Sequence, residues 1–252
     1  MQNRNRTGLI FPALCTTLLL GLSLTSQSFA WASLDENTLP ERGAKIEQFV
    51  PAGWQLENKI QGDMDGDHVS DTVLQLVEKA KSASSTKVAP TANARTSKTQ
   101  TAKTEEEPRQ RALILLLKKS SGYEKKGFSN RLLLCTTCGD TPLSRNGANI
   151  KITIDKGILE IKQAMGDKEP STTDVGFMRD PVSKNFELVY IVTETTKKES
   201  GEHERTITDY LRGERTVETW KVVAGHDTNK KSRKFRARTA RFTLETLDID
   251  KI

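Results

Sequence analysis

Four aspartates fall at nearly alternate positions in one stretch of the 252-residue chain, GDMDGDHVSD. Counted from the first aspartate, Asp63, Asp65, Asp67 and Asp71 occupy positions 1, 3, 5 and 9, and Val69 occupies position 7. Alternating carboxylates in a tight turn can direct their oxygens at one point, and the backbone carbonyl at position 7 can add another. Calcium accepts about six to eight oxygen ligands and tolerates irregular geometry. The spacing therefore predicts a calcium loop with four aspartate ligands and one backbone ligand, the Val69 carbonyl.

Repulsion among the four carboxylates gives a cation a second role in this loop. A divalent cation relieves the repulsion, so we expect the loop to be poorly ordered without metal. The loop is not an EF-hand, because position 12 is Leu74 rather than glutamate and no helix pair is predicted around it. Two alternatives stay open, an Asp-rich turn without metal and a catalytic metal site.

The pattern Gly-Asp-x-Asp-Gly-Asp-x-x-x-Asp before an apolar strand resembles the calcium loop of FG-GAP and VCBS-type repeats, the modules of integrin-like propellers. The preceding VPAGW sequence resembles a group of uncharacterised exported bacterial proteins with a single such loop; together the matches cover roughly residues 50–77. The resemblance implies side-chain ligands at Asp63, Asp65, Asp67 and Asp71 and a backbone ligand at Val69. His68 stands where these families usually have glycine, so it must adopt a backbone conformation that favours glycine. One copy of the loop does not support a complete propeller.

The N-terminus indicates export. Two arginines precede an apolar run, Leu9–Leu24. A small-x-small sequence follows it, Ser28-Phe29-Ala30 or, one step later, Ala30-Trp31-Ala32. This order predicts that residues 1–30 are a secretory signal peptide. An uncleaved anchor is the alternative, but a membrane span needs about 20 strongly apolar residues and polar residues dilute this run. We therefore expect a mature chain, 31–252, that is periplasmic or secreted and has no transmembrane span.

Two cysteines, Cys135 and Cys138, remain after cleavage at that site. In an oxidising compartment two thiols most simply pair with each other, so we predict a local disulfide. A redox pair is the first alternative, although it favours a cysteine at a helix N-terminus and this pair follows an apolar strand. A zinc site is the second alternative, but it needs two further ligands, and His203 and His226 show no paired spacing.

The elements around the loop read as strands. Residues 79–108 consist mainly of Ser, Thr, Ala, Lys and Glu and show no apolar period, so we predict a disordered insertion on the surface. A basic tether for an anionic partner is the alternative, since residues 79–103 hold six basic residues and no acidic one. Short apolar runs at 71–77 and 111–117 flank the insertion and predict a hairpin with a lengthened loop.

Hairpin signals continue downstream. We predict further strands at 150–154, 158–161, 177–179, 186–192, 206–210, 216–223 and 236–247. Only Leu39–Val50 has apolar residues spaced for one face of a helix. The sequence therefore predicts one all-β mature domain of mostly antiparallel hairpins or a meander, like a sandwich or a propeller fragment, with a short N-terminal helix.

Composition and the remaining motifs limit the function. Three histidines and the absence of a nucleophile elbow, a phosphate loop or a His-Glu-x-x-His sequence argue against several enzyme classes. The basic stretch from Lys230 to Arg241 predicts a charged edge strand, with contact to an anionic envelope polymer as the alternative. Tyrosines and tryptophans are expected in strands and core rather than in a sugar platform: Trp54, Tyr123, Tyr190, Tyr210 and Trp220.

These observations favour a non-enzymatic envelope protein that serves as a binding or scaffold module. Its partner would be an unknown envelope protein or an anionic polymer, with no specific nucleic acid. The alternative is a periplasmic or secreted hydrolase that uses carboxylates in a cleft.

Overall fold

The computed structural model consists almost entirely of antiparallel β-strands. It describes residues 34–80, 107–138, 150–166, 169–237 and 241–252, all within the unit that spans Ala32–Ile252. The strands of these ranges form two sheets, one of five strands and one of seven. The prediction of an all-β, mostly antiparallel fold is confirmed.

The smaller sheet contains the strands on both sides of the aspartate loop. Its strands are β1 Arg42–Gly43, β2 Trp54–Gly62, β3 Asp71–Glu78, β4 Arg111–Lys119 and β5 Gly122–Ser129. They lie in the order β1-β5-β4-β3-β2, and every neighbouring pair is antiparallel. Because β3 pairs directly with β4, the predicted hairpin around the insertion is confirmed. Residues 81–106 of that insertion lie outside the described ranges.

The larger sheet is a meander of seven strands in sequence order. Its strands are β6 Ile150–Asp155, β7 Ile158–Met165, β8 Ser171–Arg179, β9 Phe186–Lys197, β10 Glu202–Asp209, β11 Glu214–Val223 and β12 His226–Arg236. The turn between β6 and β7 contains Lys156 at φ 50° and Gly157 at φ 78°. Two left-handed residues match the right-handed twist of the flanking strands. The predicted hairpins of this half of the chain are confirmed.

The two sheets pack face to face over a shared core. Leu113, Leu115 and Leu117 of β4 are fully buried in one cluster with Ile161 of β7 and Phe177 of β8. Alternate residues of a strand point to opposite faces, so these odd-numbered residues of β4 face the larger sheet. Residues of β3 and β6–β9, and several from segments between and after the strands, also belong to this cluster. The described fold is therefore a two-sheet sandwich with its common core between β3–β4 and β6–β9.

The smaller sheet also buries its opposite face. Ile114 and Leu116 of β4 and Leu74 of β3 lie in a second cluster with Leu39 and Phe49, which come from the segment before β2. Burial on both faces explains why β3 and β4 read as continuous apolar runs rather than as alternating ones.

The segment Leu39–Val50 is not the predicted helix. It holds β1 and a 3₁₀ turn, Ile46–Phe49. Gly43 pairs with β5, and a Cβ at Gly43 would lie 2.8 Å from the Phe49 ring. The apolar spacing therefore reflects a short 3₁₀ turn and not a helix. In this turn Phe49 packs on the smaller sheet, close to the backbone at Gly43.

The strand predicted over Arg236–Leu247 is also wrong. β12 ends at the first residue of that stretch, and beyond it an isolated bridge joins Thr243 to β9. Leu244 and Leu247 are buried in the shared core. For both to be buried, the chain must leave the edge of the larger sheet and fold back over the core. The alternating apolar residues of this stretch therefore reflect packing against the core and not pairing in a strand.

Helical structure in the described ranges consists of short 3₁₀ turns, Glu36–Thr38, Ile46–Phe49 and Ile249–Lys251. None of the described helices has the length and apolar character needed to cross a membrane. The predicted signal peptide, residues 1–30, and Arg238 of the basic stretch lie outside the described ranges.

Candidate metal centre

The aspartate loop connects β2 to β3 and is anchored in the core. Met64, which lies between the first two aspartates, is 1% exposed and belongs to the cluster between the sheets. The turn then uses two left-handed residues, Gly66 at φ 79° and His68 at φ 65°. Positive φ is uncommon outside glycine, so His68 has the less favourable conformation that its position in the pattern predicts.

Three of the predicted side-chain ligands come together in this loop. Carboxylate oxygens of Asp63, Asp65 and Asp71 all lie within 4.8 Å of one another. Two oxygens on opposite sides of a calcium ion, each at about 2.4 Å, would be separated by about 4.8 Å. The residue Asp71 is fully buried, whereas the side chains of Asp65 and Asp63 are 5% and 30% exposed. The cluster can therefore hold a metal ion, with Asp63 on its open side.

Asp71 is the deepest member of the cluster. Its Oδ2 accepts a hydrogen bond from the Met64 N–H at 3.0 Å, and its Oδ1 accepts one from the Lys118 N–H at 2.9 Å. Burial raises the pKa of Asp71, these donors lower it, and the charges of Asp65 and Asp67 raise it, with a net upward shift. The raised pKa reflects excess negative charge in a buried place, which a bound cation would relieve.

The pKa of Asp63 is shifted in the opposite direction. Its Oδ1 accepts from the Gly66 N–H at 2.7 Å and its Oδ2 from the His68 N–H at 2.9 Å. Burial raises the pKa of Asp63, but the backbone donors outweigh burial and lower it overall. The charged form is therefore favoured, as a metal ligand requires.

The most direct indication that the cluster lacks a bonding partner comes from one oxygen of Asp65. Its Oδ1 is buried and has no hydrogen-bond partner in the described residues. Its Oδ2 lies 3.1 Å from Arg179 Nη1 and 3.6 Å from Lys119 Nζ. Buried side-chain polar atoms almost always have a partner. A cation in the cluster would supply one to Asp65 Oδ1.

No sequence pattern pointed to Arg179 or Lys119. Arg179 ends β8 and Lys119 ends β4, and only the folded sandwich brings these ends to the loop. Lys119 Nζ also lies 3.9 Å from Asp67 Oδ2. These two cations partly neutralise the loop, and this neutralisation favours the alternative of an Asp-rich turn without metal.

The other two predicted ligands lie at the rim of the loop. The Asp67 carboxylate is not part of the three-residue cluster, and its Oδ1 accepts from the Val69 N–H at 2.8 Å. Val69 is 42% exposed. Ligation by Asp67 and by the Val69 carbonyl stays a prediction.

The cysteine pair lies beside a buried polar network. The Sγ atoms of Cys135 and Cys138 are 2.02 Å apart, a disulfide distance. Arg111 of β4 donates from Nη1 to the carbonyls of Leu134 and Cys135 at 2.9 and 3.0 Å. Its Nε and Nη2 donate to the two carboxylate oxygens of Glu57 at 2.7 and 2.8 Å. This setting favours a structural bridge over a redox pair or a zinc site.

A second group of carboxylates lies on the outer face of the larger sheet. The Tyr190 hydroxyl is 2.9 Å from Glu160 Oε1 and 3.5 Å from Asp174 Oδ1. Burial and the charge of Glu160 raise the pKa of Asp174 despite nearby cations. The Tyr190 ring covers Gly176, where a Cβ would collide with it. Sequence spacing did not single out these carboxylates, because they come from β7 and β8 and meet only across the sheet.

The basic stretch and the aromatic residues also have defined places. Most of the stretch lies in β12, the outermost strand of the larger sheet, which agrees with a charged edge strand. Trp220 stacks on His203 with ring centroids 5.1 Å apart, and Tyr210 meets Phe242 edge to face at 6.0 Å. Trp54, Tyr123 and Tyr210 belong to or pack against the core clusters, as expected, whereas Tyr190 and Trp220 are strand residues outside both clusters.

Comparison with protein-family models, curated proteins and solved structures found no match for this chain. The resemblance to FG-GAP and VCBS-type loops therefore depends on the loop residues alone and stays a prediction.

Proposed function

We propose that this chain is an exported, non-enzymatic envelope protein, periplasmic or secreted, whose aspartate loop binds one calcium ion as a structural cofactor. In this proposal the sandwich serves as a binding or scaffold module. The observation that carries the metal proposal is the buried Oδ1 of Asp65, which lacks a hydrogen-bond partner in the described residues while two further carboxylates stand beside it.

The donor set favours calcium over other cations. All three clustered side chains offer carboxylate oxygens, the ligands of hard cations. The His68 side chain is 97% exposed and its Nδ1 lies 3.8 Å from Asp63 Oδ2, so it adds no imidazole to the cluster. Magnesium demands a near-ideal octahedron at about 2.0–2.1 Å. Carboxylates fixed by backbone hydrogen bonds suit the longer and less regular contacts of calcium.

The connections of the cluster favour a structural ion over a catalytic one. Asp71 bonds to the backbone of the loop at Met64 and to the backbone of β4 at Lys118. An ion shared by Asp71 and Asp63 would therefore fasten the loop to the smaller sheet. Several ligand oxygens already hold backbone N–H groups, an arrangement that supports order rather than exchange of a substrate.

A thermal melt tests the metal proposal. We expect calcium to raise the midpoint relative to chelator, and magnesium to raise it less. Asp65→Asn should abolish this difference, whereas Asp227→Asn, which removes an exposed carboxylate from β12, should preserve it. Equal midpoints in calcium and in chelator for the unaltered chain would exclude a structural calcium ion.

Export has its own test. The full chain is expressed with its leader, and the N-terminus of the purified product is sequenced. Cleavage after Ala30 predicts Trp31 as the first residue of the mature protein. A product that begins at Met1 and stays in the cytoplasm would contradict export.

The alternative hydrolase would use Glu160 and Asp174, the carboxylates that converge away from the loop. The Tyr190 hydroxyl stands between them, at 2.9 and 3.5 Å, in the place that a substrate oxygen would need. The tyrosine therefore makes this group a better candidate for cross-strand stabilisation than for catalysis.

A further inference from the structure

The core-facing side of the larger sheet continues beyond the smaller sheet. Register partners run from Val175 through Ile191, Thr208 and Arg215 to Phe235, so these residues share one face. Val175 is fully buried in the shared core, whereas Phe235 is 51% exposed. The β10–β12 part of this side, here named the open face, is therefore left uncovered by the described residues.

The open face is electropositive where it is formed by β11 and β12. These two strands place four cations and no acid on it: Arg215, Lys221, Lys231 and Arg233. None of the four forms an ion pair with another side chain in the described ranges. The acids of this face come from β10, where Glu202 and Glu204 lie beside Lys221 and Thr219.

On the opposite side of the same two strands, positive and negative charges balance each other. There Glu214 is the register partner of Arg236 and lies 3.7 Å from Lys234 in an ion pair. Glu218 is the partner of Ser232 on the same side. Protection of the β12 edge from strand addition needs charge on β12 alone, on either side. It explains neither the cations of β11 nor their restriction to the open face.

The open face is also concave. One depression of about 750 Å³ is lined by Glu204, Thr219 and Lys231, and a second of about 720 Å³ by Arg215 and Phe235. The row that contains Arg233 lies between them. The distance from the Lys231 row to the Phe235 row is about 14 Å, four residues of strand. Two depressions along one strand accommodate successive parts of one extended chain, whereas a flat lipid surface does not reach into them.

We propose that the open face binds a linear phosphodiester polymer. A phosphodiester chain carries its charges on the backbone itself, so successive charges can follow the open face past Lys231, Arg233 and Arg215. In an extended acidic peptide, side chains alternate between two sides, so only half of its carboxylates could face these cations. Two of the cations are arginines, whose planar forks bind phosphate oxygens in pairs. The proposal names a partner class for the binding role proposed above and rests on that role, but not on the metal.

Binding of a fluorescein-labelled oligothymidylate, used as a sequence-neutral phosphodiester chain, tests the proposal by fluorescence anisotropy. The variant Lys231→Ser with Arg233→Ser removes two cations from the open face. The matched control, Lys230→Ser with Lys234→Ser, removes two exposed cations of the same strand that line neither depression. All four residues are exposed, so both variants should fold.

We expect the open-face variant to bind about tenfold more weakly or worse, and the control to stay within about twofold of the unaltered chain. The slope of log K against log salt should fall in magnitude by about 1.4 for the open-face variant, because two phosphate contacts on a single strand are lost. It should hardly change for the control. An abasic oligomer of equal length should bind as well as the oligothymidylate, since no base is read.

Several outcomes would overturn the proposal. Equal losses in the two variants would mean attraction by net charge alone. Polyglutamate that competes as well as the oligomer would indicate an acidic protein partner, and stronger binding to anionic vesicles would indicate a membrane. The unaltered chain should bind the oligomer with equal affinity in calcium and in chelator. If it binds the oligomer in neither condition while its melt still depends on calcium, the polymer proposal is rejected and the metal proposal stands.

Discussion

β4 and β12 are strands of similar length in opposite surroundings. The first seven residues of β4, Arg111–Leu117, are all buried, whereas all but one of the residues of β12 are exposed. β4 has a paired strand on each side and a packed layer on each face. β12 pairs with β11 alone and lies at the sheet edge. The same antiparallel pairing therefore serves two purposes, a fixed interior in one strand and an accessible surface in the other.

The arginines of the two regions show the difference most directly. Arg111 is 1% exposed and its guanidinium bonds to Glu57 and to two carbonyls of the segment at the cysteines. Arg215 is exposed and forms no ion pair in the described residues. A charge buried with all its partners stabilises a single arrangement, whereas an exposed and unpaired charge is available to a ligand.

The largest effect is expected from Arg111→Ala. The change leaves Glu57 without its cation and two buried carbonyls without donors, so we expect a loss of about 3–5 kcal/mol in the free energy of unfolding. Arg215→Ala in β11 should cost less than about 0.5 kcal/mol. Urea denaturation monitored by circular dichroism gives both values. Similar costs for the two arginines would remove the distinction between the regions.

Leu115→Ala should have the next largest effect. Leu115 is fully buried in the shared core, and its truncation leaves a cavity, so we expect a cost of about 3 kcal/mol. Val217→Ala on the open face should cost less than about 1 kcal/mol, because Val217 is only partly buried. The same denaturation experiment measures both variants. A cost at Val217 equal to that at Leu115 would show that something covers the open face in solution.

An intermediate effect is expected at Asp174, on the half-buried outer face of β8. Burial and the charge of Glu160 raise its pKa in the folded state above the ordinary value of about 3.9. Between these two values the folded chain binds more protons than the unfolded chain, so the contribution of Asp174 to stability falls as pH rises through this window. Asp174→Asn should therefore stabilise the protein at neutral pH, by less than about 1 kcal/mol because solvent screens the site.

The gain from Asp174→Asn should largely disappear near pH 3, below the pKa of this carboxyl in both the folded and the unfolded chain, because Asp174 is then mostly protonated and, like asparagine, uncharged. Thermal melts of the two proteins at the two pH values measure this difference. A gain that is the same at both values would contradict a charge effect, and Asp155→Asn, at an exposed hairpin turn, serves as the control.

The smallest effect is expected from His68→Gly. Its φ of 65° costs a non-glycine residue free energy, but glycine adds entropy to the unfolded chain, so we expect a net gain of about 0.5 kcal/mol. The chelated protein is compared in a thermal melt with its unaltered counterpart. Lys184→Gly, at φ 63° in the exposed turn before β9, should behave in the same way. A marked destabilisation by His68→Gly would give the imidazole a role that its exposure does not suggest.

The buried region was predictable from the sequence, and the exposed edge was predictable only in part. β3 and β4 are recognisable in the sequence as apolar runs, because both of their faces are packed and require apolar side chains. β12 is polar on both faces and has no apolar period. Its positive charge indicated an edge strand from Lys230 onward, but the apolar alternation placed a strand too late, from Arg236. The segment 39–50 misled in another way, because apolar spacing that fits a helix also fits a 3₁₀ turn when Gly43 lets the chain pack closely.

The site was predictable only as far as it is local. The spacing of the aspartates indicated the cluster, and three of them do meet. Lys119 and Arg179 could not be predicted, because they reach Asp65 from the ends of separate strands in separate sheets. The cationic open face was likewise hidden, since the basic stretch reads as one run until the register sorts its residues between two sides.

Met64 gives the aspartate loop a connection to the whole sandwich. Because this side chain is buried between the sheets, the loop cannot leave its folded arrangement without opening the shared core. A cation that binds only the folded loop then stabilises the entire domain, by about 2.7 kcal/mol at a hundred times its dissociation constant. The stability of the whole domain would thus depend on the free cation concentration where the protein resides.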